Sequence, residues 1–122
     1  MPIVGVGTRE ASLAIRSDDQ LENRFEPVIL SLWQEGPALM ALLASSAASF
    51  PLRQRSTLDQ PALAASILAR TEGTSGEITM FLTRAAMAAM DSDEEALPRK
   101  TLMLAEYASP SARRRTFARA SR

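Results

Sequence analysis

Three polar positions lie where side chains commonly carry out chemistry. Thr8 follows an apolar run at residues 2–7, and the end of a buried strand is where a polar side chain reaches a bound nucleotide. Arg24 ends a short predicted helix, and Pro27 disfavours helix just after it, so we expect an outward-pointing guanidinium. The turn Gly73–Glu77 opens a helix whose free amides suit an anion. Each signal alone is weak, since a lone exposed arginine more often forms a salt bridge or faces solvent.

Several classes of site are excluded by residue types that the sequence lacks. It has no histidine and no cysteine, which removes the usual general base, most zinc sites and the common nucleophile pairs. The only lysine, Lys100, has no glycine-rich loop before it, so no phosphate-binding loop is encoded. Gly5-x-Gly7 lacks the third glycine of a dinucleotide fingerprint. The acidic run Asp91–Glu95 lacks the spacing of a calcium loop, so we predict no metal site.

The clearest structural element is a helix over residues 73–90. Thr74 and Glu77 have the spacing of a capping box, in which each side chain bonds a backbone amide of the other residue. One apolar stripe follows at helical spacing: Ile78, Phe81, Leu82, Ala85, Ala86 and Ala89. A stripe of this length requires helices to pack against it.

The remaining elements flank this helix. Residues 2–8 have the pattern of a buried strand, and 26–32 are the one other strand candidate, too few to build a sheet. We therefore expect the chain to begin in the middle of a larger fold. Thr8 and the run Ser17-Asp18-Asp19 are positioned to cap two short helices, and from Gly36 onward the pattern predicts four or five helices with short links.

The 122 residues are enough for one domain, and their charge is unevenly distributed although it sums to zero. The segment from Ala108 onward holds no acid and five arginines: Arg113, Arg114, Arg115, Arg119 and Arg122. The other residues therefore carry a net charge of about −5, nine basic against fourteen acidic. A basic tail on an acidic body suggests contact with nucleic acid, although a solvated helix end is the commoner explanation. No apolar run reaches membrane-spanning length and no signal peptide is evident, so we predict a cytoplasmic protein.

Taken together and in this order, these features resemble a known family. The resemblance rests on five segments: residues 6–11, residues 14–27, residues 71–78, residues 82–86 and residues 109–115. They look like TniB, the NTP-binding accessory protein family of bacterial transposons and a member of the AAA+ ATPases. The similarity extends over nearly the whole chain, but residues 33–58 match only loosely.

The resemblance implies a role for each candidate residue. Thr8 would be the sensor-1 residue that monitors the γ-phosphate. Arg24 would be the arginine finger that completes the site of a neighbouring subunit and neutralises charge on the transferred phosphoryl group. Residues 36–107 would form the helical lid. Many relatives place a second sensing arginine near Gly76–Glu77, and none is present here, which puts a contribution of the lid to hydrolysis in doubt.

The resemblance also implies a fold class and a domain order. We expect a mainly α protein: an AAA+ lid-like bundle of four or five helices preceded by a short β remnant of a truncated ATPase core. The expected domains are residues 1–35 (core remnant), 36–107 (lid) and 108–122 (basic tail). Because the phosphate loop and the magnesium-binding acids are missing, we expect no cofactor for this chain alone and no ATPase activity of its own. The full-length family implies ATP and magnesium, with other TniB-like subunits, transposase and DNA as partners.

A second hypothesis depends on the basic tail and not on the family resemblance. The chain would then be a small helical DNA- or protein-binding module, with Arg113, Arg114 and Arg115 contacting phosphate groups. That hypothesis predicts DNA binding that weakens as salt is added.

Overall fold

The structure of the chain is a computed structural model that describes residues 1–54, 56–58, 60–93 and 96–121. The chain divides into two compact units, Met1–Ser31 and Leu32–Arg122. Residues 108–121 lie in the second unit together with the helices that precede them, and the predicted domain limits remain predictions.

The first unit contains two short helices and no strand among its residues, all of which are described. The helices are α1 (Arg9–Arg16) and α2 (Asp19–Glu22). The strand predicted for residues 2–8, the β remnant of the expected fold class, is not present, nor is one at residues 26–32. A strand exists only when another strand accepts and donates its backbone hydrogen bonds, and this part of the chain supplies no such ladder. Ile3, Val4 and Val6 are 72%, 86% and 94% exposed, as expected for a segment without a sheet.

The second unit contains five helices in its described residues, which confirms the predicted mainly helical bundle. They are α3 (Pro37–Ser49), α4 (Pro61–Thr71), α5 (Ser75–Asp91), α6 (Arg99–Leu104) and α7 (Pro110–Ala120). Three of them begin with proline in the first turn, where the missing N–H has no helical partner to lose. Helix α5 packs against α4 and α6, and α3 packs against α4.

The apolar stripe of α5 is the centre of the core. All six of its predicted positions, from Ile78 to Ala89, are buried. Around them lie apolar residues from α3, α4 and α6 and from the links between helices: Leu39, Leu43, Leu58, Leu63, Ala64, Ile67, Leu97, Leu102 and Ala105. Leu58 is fully buried although its segment reads as a polar loop, and Ser56 Oγ beside it accepts from Leu97 N at 2.9 Å.

The predicted capping box at the start of α5 is wrong. Thr74 is the N-cap residue, but its side chain makes no capping hydrogen bond, and its hydroxyl is buried without a partner in the described part of the chain. Glu77 does not return to Thr74. Its carboxylate binds Tyr107 and Arg113, because two strong donors from distant parts of the chain compete successfully with a local amide.

The turn between α4 and α5 depends on a glycine. Gly73 has φ +70°, and a Cβ there would lie 2.8 Å from the carbonyl oxygen of Trp33. Trp33 N donates to Gly73 O at 2.8 Å, and its indole Nε1 donates to Ser75 Oγ at 2.7 Å. The turn therefore requires a residue without a side chain, both for its conformation and for the approach of Trp33.

Candidate functional site

Thr8 lies at the start of α1, as its N-cap residue. Its backbone is extended, and its carbonyl accepts from Ser12 N at 3.2 Å. The Thr8 hydroxyl makes no capping hydrogen bond, and the residue is exposed. The side chain is therefore not committed to the helix.

Arg24 lies just after α2 and is exposed. The Asp18 carboxylate accepts from Gln20 N at 2.8 Å and from Leu21 N at 3.3 Å, which confirms the predicted cap of α2. Arg24 N donates to Leu21 O at 3.0 Å, so its backbone is held in the turn that follows the helix. Thr8 thus precedes the helix pair and Arg24 follows it, both within the first unit.

A group of polar side chains in the second unit joins α7 to the ends of α4 and α5. We call it the Glu77 cluster, and it consists of Glu72, Glu77, Tyr107, Arg113 and Arg114. Tyr107 donates its hydroxyl to Glu77 Oε2 at 2.6 Å, and Arg113 Nη2 donates to Glu77 Oε1. Arg114 Nη2 lies 3.4 Å from Glu72 Oε2. The backbone N–H of Ser111 donates to Glu72 Oε1 at 2.9 Å.

These contacts shift the protonation equilibria of the cluster. The hydrogen bond from Tyr107 and the one from Arg113 lower the pKa of Glu77 below its usual value. The pKa of Glu72 is lowered by its hydrogen bonds to Ser111 and by Arg114. Burial of the phenol and its bond to Glu77 raise the pKa of Tyr107 to about 12. Both carboxylates are therefore ionised and the phenol is neutral at neutral pH.

Arg70 holds the backbone segment that carries Tyr107 of the Glu77 cluster. Its guanidinium donates to the carbonyls of Leu102 at 2.7 Å, Ala105 at 3.3 Å and Tyr107 at 3.4 Å. It also lies over the Phe81 ring, 4.7 Å from the centroid, and the Phe81 and Tyr107 rings meet edge to face at 5.1 Å. Arg70 thus satisfies carbonyls at the end of α6 and fixes the segment that carries Tyr107.

The three arginines predicted to contact DNA differ in their surroundings. Arg113 and Arg114 are paired with glutamates, while Arg115 is exposed on α7. Arg122, the last arginine of the predicted tail, lies outside the described residues, as do Glu94 and Glu95 of the acidic run. Within the described ranges, no three acidic side chains are grouped closely enough to hold a metal ion. In the same ranges, every helix is too short or too polar to cross a membrane.

Comparison with known families finds a match that covers the first unit and the first four residues of the second. Residues 1–35 match the model of the family described as bacterial TniB protein. This N-terminal segment is therefore similar to TniB. Both Thr8 and Arg24 lie within the matched segment, whereas the Glu77 cluster lies outside it. No curated protein and no solved structure matches the chain.

Sequence reasoning missed the residues that organise the second unit. Tyr107 lies in the link beyond α6, which ends at Leu104, and no sequence motif marks it. Arg70 was not singled out, because its partners follow it by 32 to 37 residues. Charge balance was the one available signal: five arginines in a tail with no acid attract anionic groups, and Glu72 and Glu77 pair with two of them.

Proposed function

We propose that this chain acts in DNA transposition as a TniB-like accessory component, next to TniB-like subunits that hold ATP. The observation that carries the proposal is the family match at residues 1–35, which includes Thr8 and Arg24. By resemblance, Thr8 takes the sensor-1 position and Arg24 completes the nucleotide site of a neighbouring subunit. The proposed partners are those subunits, a transposase and target DNA, in the cytoplasm.

Exposed apolar segments in the first unit support a need for partner subunits. Val28, Ile29 and Leu30 are 81–90% exposed, and the apolar residues of the 2–7 segment are similarly open. Neither α1 nor α2 has a buried residue. Apolar side chains exposed in consecutive positions favour association, because burial of their surface removes it from water.

The residues of this chain do not make up a nucleotide site of their own. No phosphate loop is encoded, and Lys100 follows Pro98 in α6 rather than a glycine-rich turn. Near the position where relatives place a second sensing arginine, this chain has Glu77, whose carboxylate is held by Tyr107 and Arg113. We therefore propose that the chain is not an ATPase by itself.

Association with TniB-like subunits tests this proposal. The chain is mixed with an intact TniB-like ATPase, and complex formation is measured by sedimentation velocity with and without ATP. We expect a complex that Val4→Asp and Ile29→Asp weaken, because each places a charge in an exposed apolar segment. Leu104→Asp is the matched control, since Leu104 is 69% exposed but belongs to the second unit. No complex with the wild-type chain, or equal weakening by all three variants, contradicts the proposal.

A second candidate function is a small helical DNA-binding module. The observation that favours it is α7 itself, a regular helix capped by Ser109, in which every charged residue is an arginine. Arg115 and Arg119 lie one helical turn apart and are both exposed. Under this proposal they meet phosphate groups together with Arg113 and Arg114.

Salt dependence and one triple variant test the second candidate. Duplex DNA binding is measured by fluorescence anisotropy over a series of salt concentrations, with the wild-type chain and with Arg113, Arg114 and Arg115 changed to alanine. We expect the affinity to fall as salt is added, and the triple variant to lose most binding and to show a shallower salt slope. Unchanged binding in the triple variant removes α7 from the proposal.

A further inference from the structure

Helix α7 is attached to the other helices of the second unit without any buried side chain of its own. Its attachment depends on the Glu77 cluster, on the Ser111 N–H that donates to Glu72, and on Arg113 Nη1, which lies 3.7 Å from Met80 Sδ. A helix that buries no apolar face gains little from the hydrophobic effect. Its position is therefore set mainly by hydrogen bonds and ion pairs.

The two ion pairs are open to competition. The side chains of Arg114 and Glu72 are 72% and 34% exposed, and those of Arg113 and Glu77 are 41% and 17% exposed. Ion pairs in contact with water are weak and are screened by salt, so another anion can replace the carboxylate. Isolated helices of this length are marginal in water, so a detached α7 needs a new partner to stay ordered.

We propose that α7 is a latch that duplex DNA opens, in which phosphate groups replace Glu77 and Glu72 as the partners of Arg113 and Arg114. The proposal rests on DNA being a partner of the chain. While the latch is closed, the two glutamates occupy guanidinium groups that DNA needs, so they lower the affinity for DNA. When it opens, Arg113 and Arg114 become available to phosphates in addition to the other arginines of α7, and the release of counterions from DNA favours that state.

The charge pattern favours DNA over a protein partner. Residues 108–121 hold four arginines and no acid, so α7 has no specific geometry of alternating charges for a protein surface to match. A polyanion with closely spaced charges can engage several of these arginines at once. An acidic peptide offers the same charge at lower density, and it serves as the comparison in the test.

The test compares two substitutions that remove the same charge. Glu77→Gln removes a latch partner, whereas Glu106→Gln removes an exposed glutamate whose backbone carbonyl, not its side chain, accepts from Arg84. DNA affinity is measured by anisotropy with a labelled duplex, and poly-glutamate is used as the competing polyanion. We expect Glu77→Gln to bind DNA more tightly than Glu106→Gln, by up to about fivefold, because an ion pair in contact with water contributes no more than that to the competition. Glu72→Gln is the second variant, for the case in which Glu77→Gln does not fold.

Hydrogen exchange reports the opening itself. We expect amides of α7 to exchange faster in Glu77→Gln than in Glu106→Gln, with amides of α5 unchanged in both. Added duplex DNA is expected to change the exchange rates of the α7 amides in the wild-type chain. Poly-glutamate is expected to change them only at a higher concentration.

The results distinguish a failure of the proposed latch from a failure of DNA binding itself. Equal DNA affinity in the glutamine variants of Glu77, Glu72 and Glu106 overturns the latch while DNA binding stands. No DNA binding by any variant overturns both the latch and the DNA-binding candidate, and leaves the association with TniB-like subunits to its own test. Poly-glutamate that matches DNA in affinity overturns the assignment of DNA as the occupant.

Discussion

At the scale of the residue, Thr74 is notable because its hydroxyl is buried without a hydrogen-bond partner in the described part of the chain. A buried polar group without a partner costs about 1–3 kcal/mol relative to its state in water. We therefore expect Thr74→Val to be neutral or to raise the free energy of unfolding by about 1 kcal/mol. Valine has nearly the same shape, and the extended backbone of Thr74 accepts a β-branched residue. The free energy is measured by urea unfolding with the fluorescence of Trp33, the only tryptophan.

Thr71→Val is the matched control for that substitution. The Thr71 hydroxyl is buried but donates to Ile67 O at 2.8 Å, so the same change there removes a hydrogen bond and is expected to cost about 1 kcal/mol. A loss of stability in Thr74→Val as large as in Thr71→Val would show that Thr74 caps α5 after all.

The second prediction at this scale concerns Tyr107, the only tyrosine of the chain. Its pKa is raised to about 12 by burial and by its bond to Glu77, so phenolate absorbance is expected to increase near pH 12 rather than near 10. Since the folded state favours the neutral phenol, the stability that this bond adds is fully present below pH 10 and is lost as the pH rises to about 12.

Glu77→Gln tests the cause of the raised pKa. Without the carboxylate we expect the phenol to titrate at lower pH, while Glu106→Gln leaves the titration as in the wild type. Circular dichroism at each pH shows whether the chain is still folded. A Tyr107 titration that Glu77→Gln does not move would contradict the hydrogen bond between the two side chains.

At the scale of the element, Arg70 joins α4 to the end of α6 and to the link that carries Tyr107. We expect Arg70→Ala to lower the free energy of unfolding by about 2–3 kcal/mol, because it leaves several carbonyls without their charged donor. Lysine keeps the charge but not the planar fork, so Arg70→Lys is expected to restore only part of the loss. Thermal unfolding monitored by circular dichroism measures both variants.

Arg84→Ala is the control for Arg70, since Arg84 donates to one carbonyl, that of Glu106, from an exposed position. We expect a change of less than about 1 kcal/mol for that variant. Equal effects of the two substitutions would mean that Arg70 is one more surface arginine and does not hold the end of α6.

How far the sequence predicts the elements depends on the range of the contacts that form them. The buried stripe of α5 and the caps at Asp18 and Ser109 were predictable, because helical spacing and local capping involve residues within a few positions. The replacement of the capping box by Tyr107 and Arg113 was not, since these partners lie 30 and 36 residues from Glu77. A local pattern contains no information on which distant donor reaches the same carboxylate.

At the scale of the whole molecule, the two units differ in how they are stabilised. The second unit has a continuous core built on α5, whereas the helices of the first have no buried residue. The strand pattern of residues 2–8 was predictable but the strand did not form, because a strand is defined by the partner that it pairs with. The similarity of this segment to TniB was recognisable from its residues alone, and residues 1–35 match the model of that family.

The most direct test of the proposed role is the effect of Arg24 on the ATPase activity of an intact TniB-like subunit. In that subunit the arginine-finger residue is changed to alanine. The 122-residue chain is then added in increasing amounts. We expect the wild-type chain to raise the rate of ATP hydrolysis by that subunit at least about tenfold, which is a small part of what an arginine finger can contribute. Arg24→Ala is expected to restore nothing, while Arg9→Ala, which removes an exposed arginine from α1, behaves as the wild type. Equal restoration by Arg24→Ala and Arg9→Ala, or hydrolysis by this chain alone, would contradict the account.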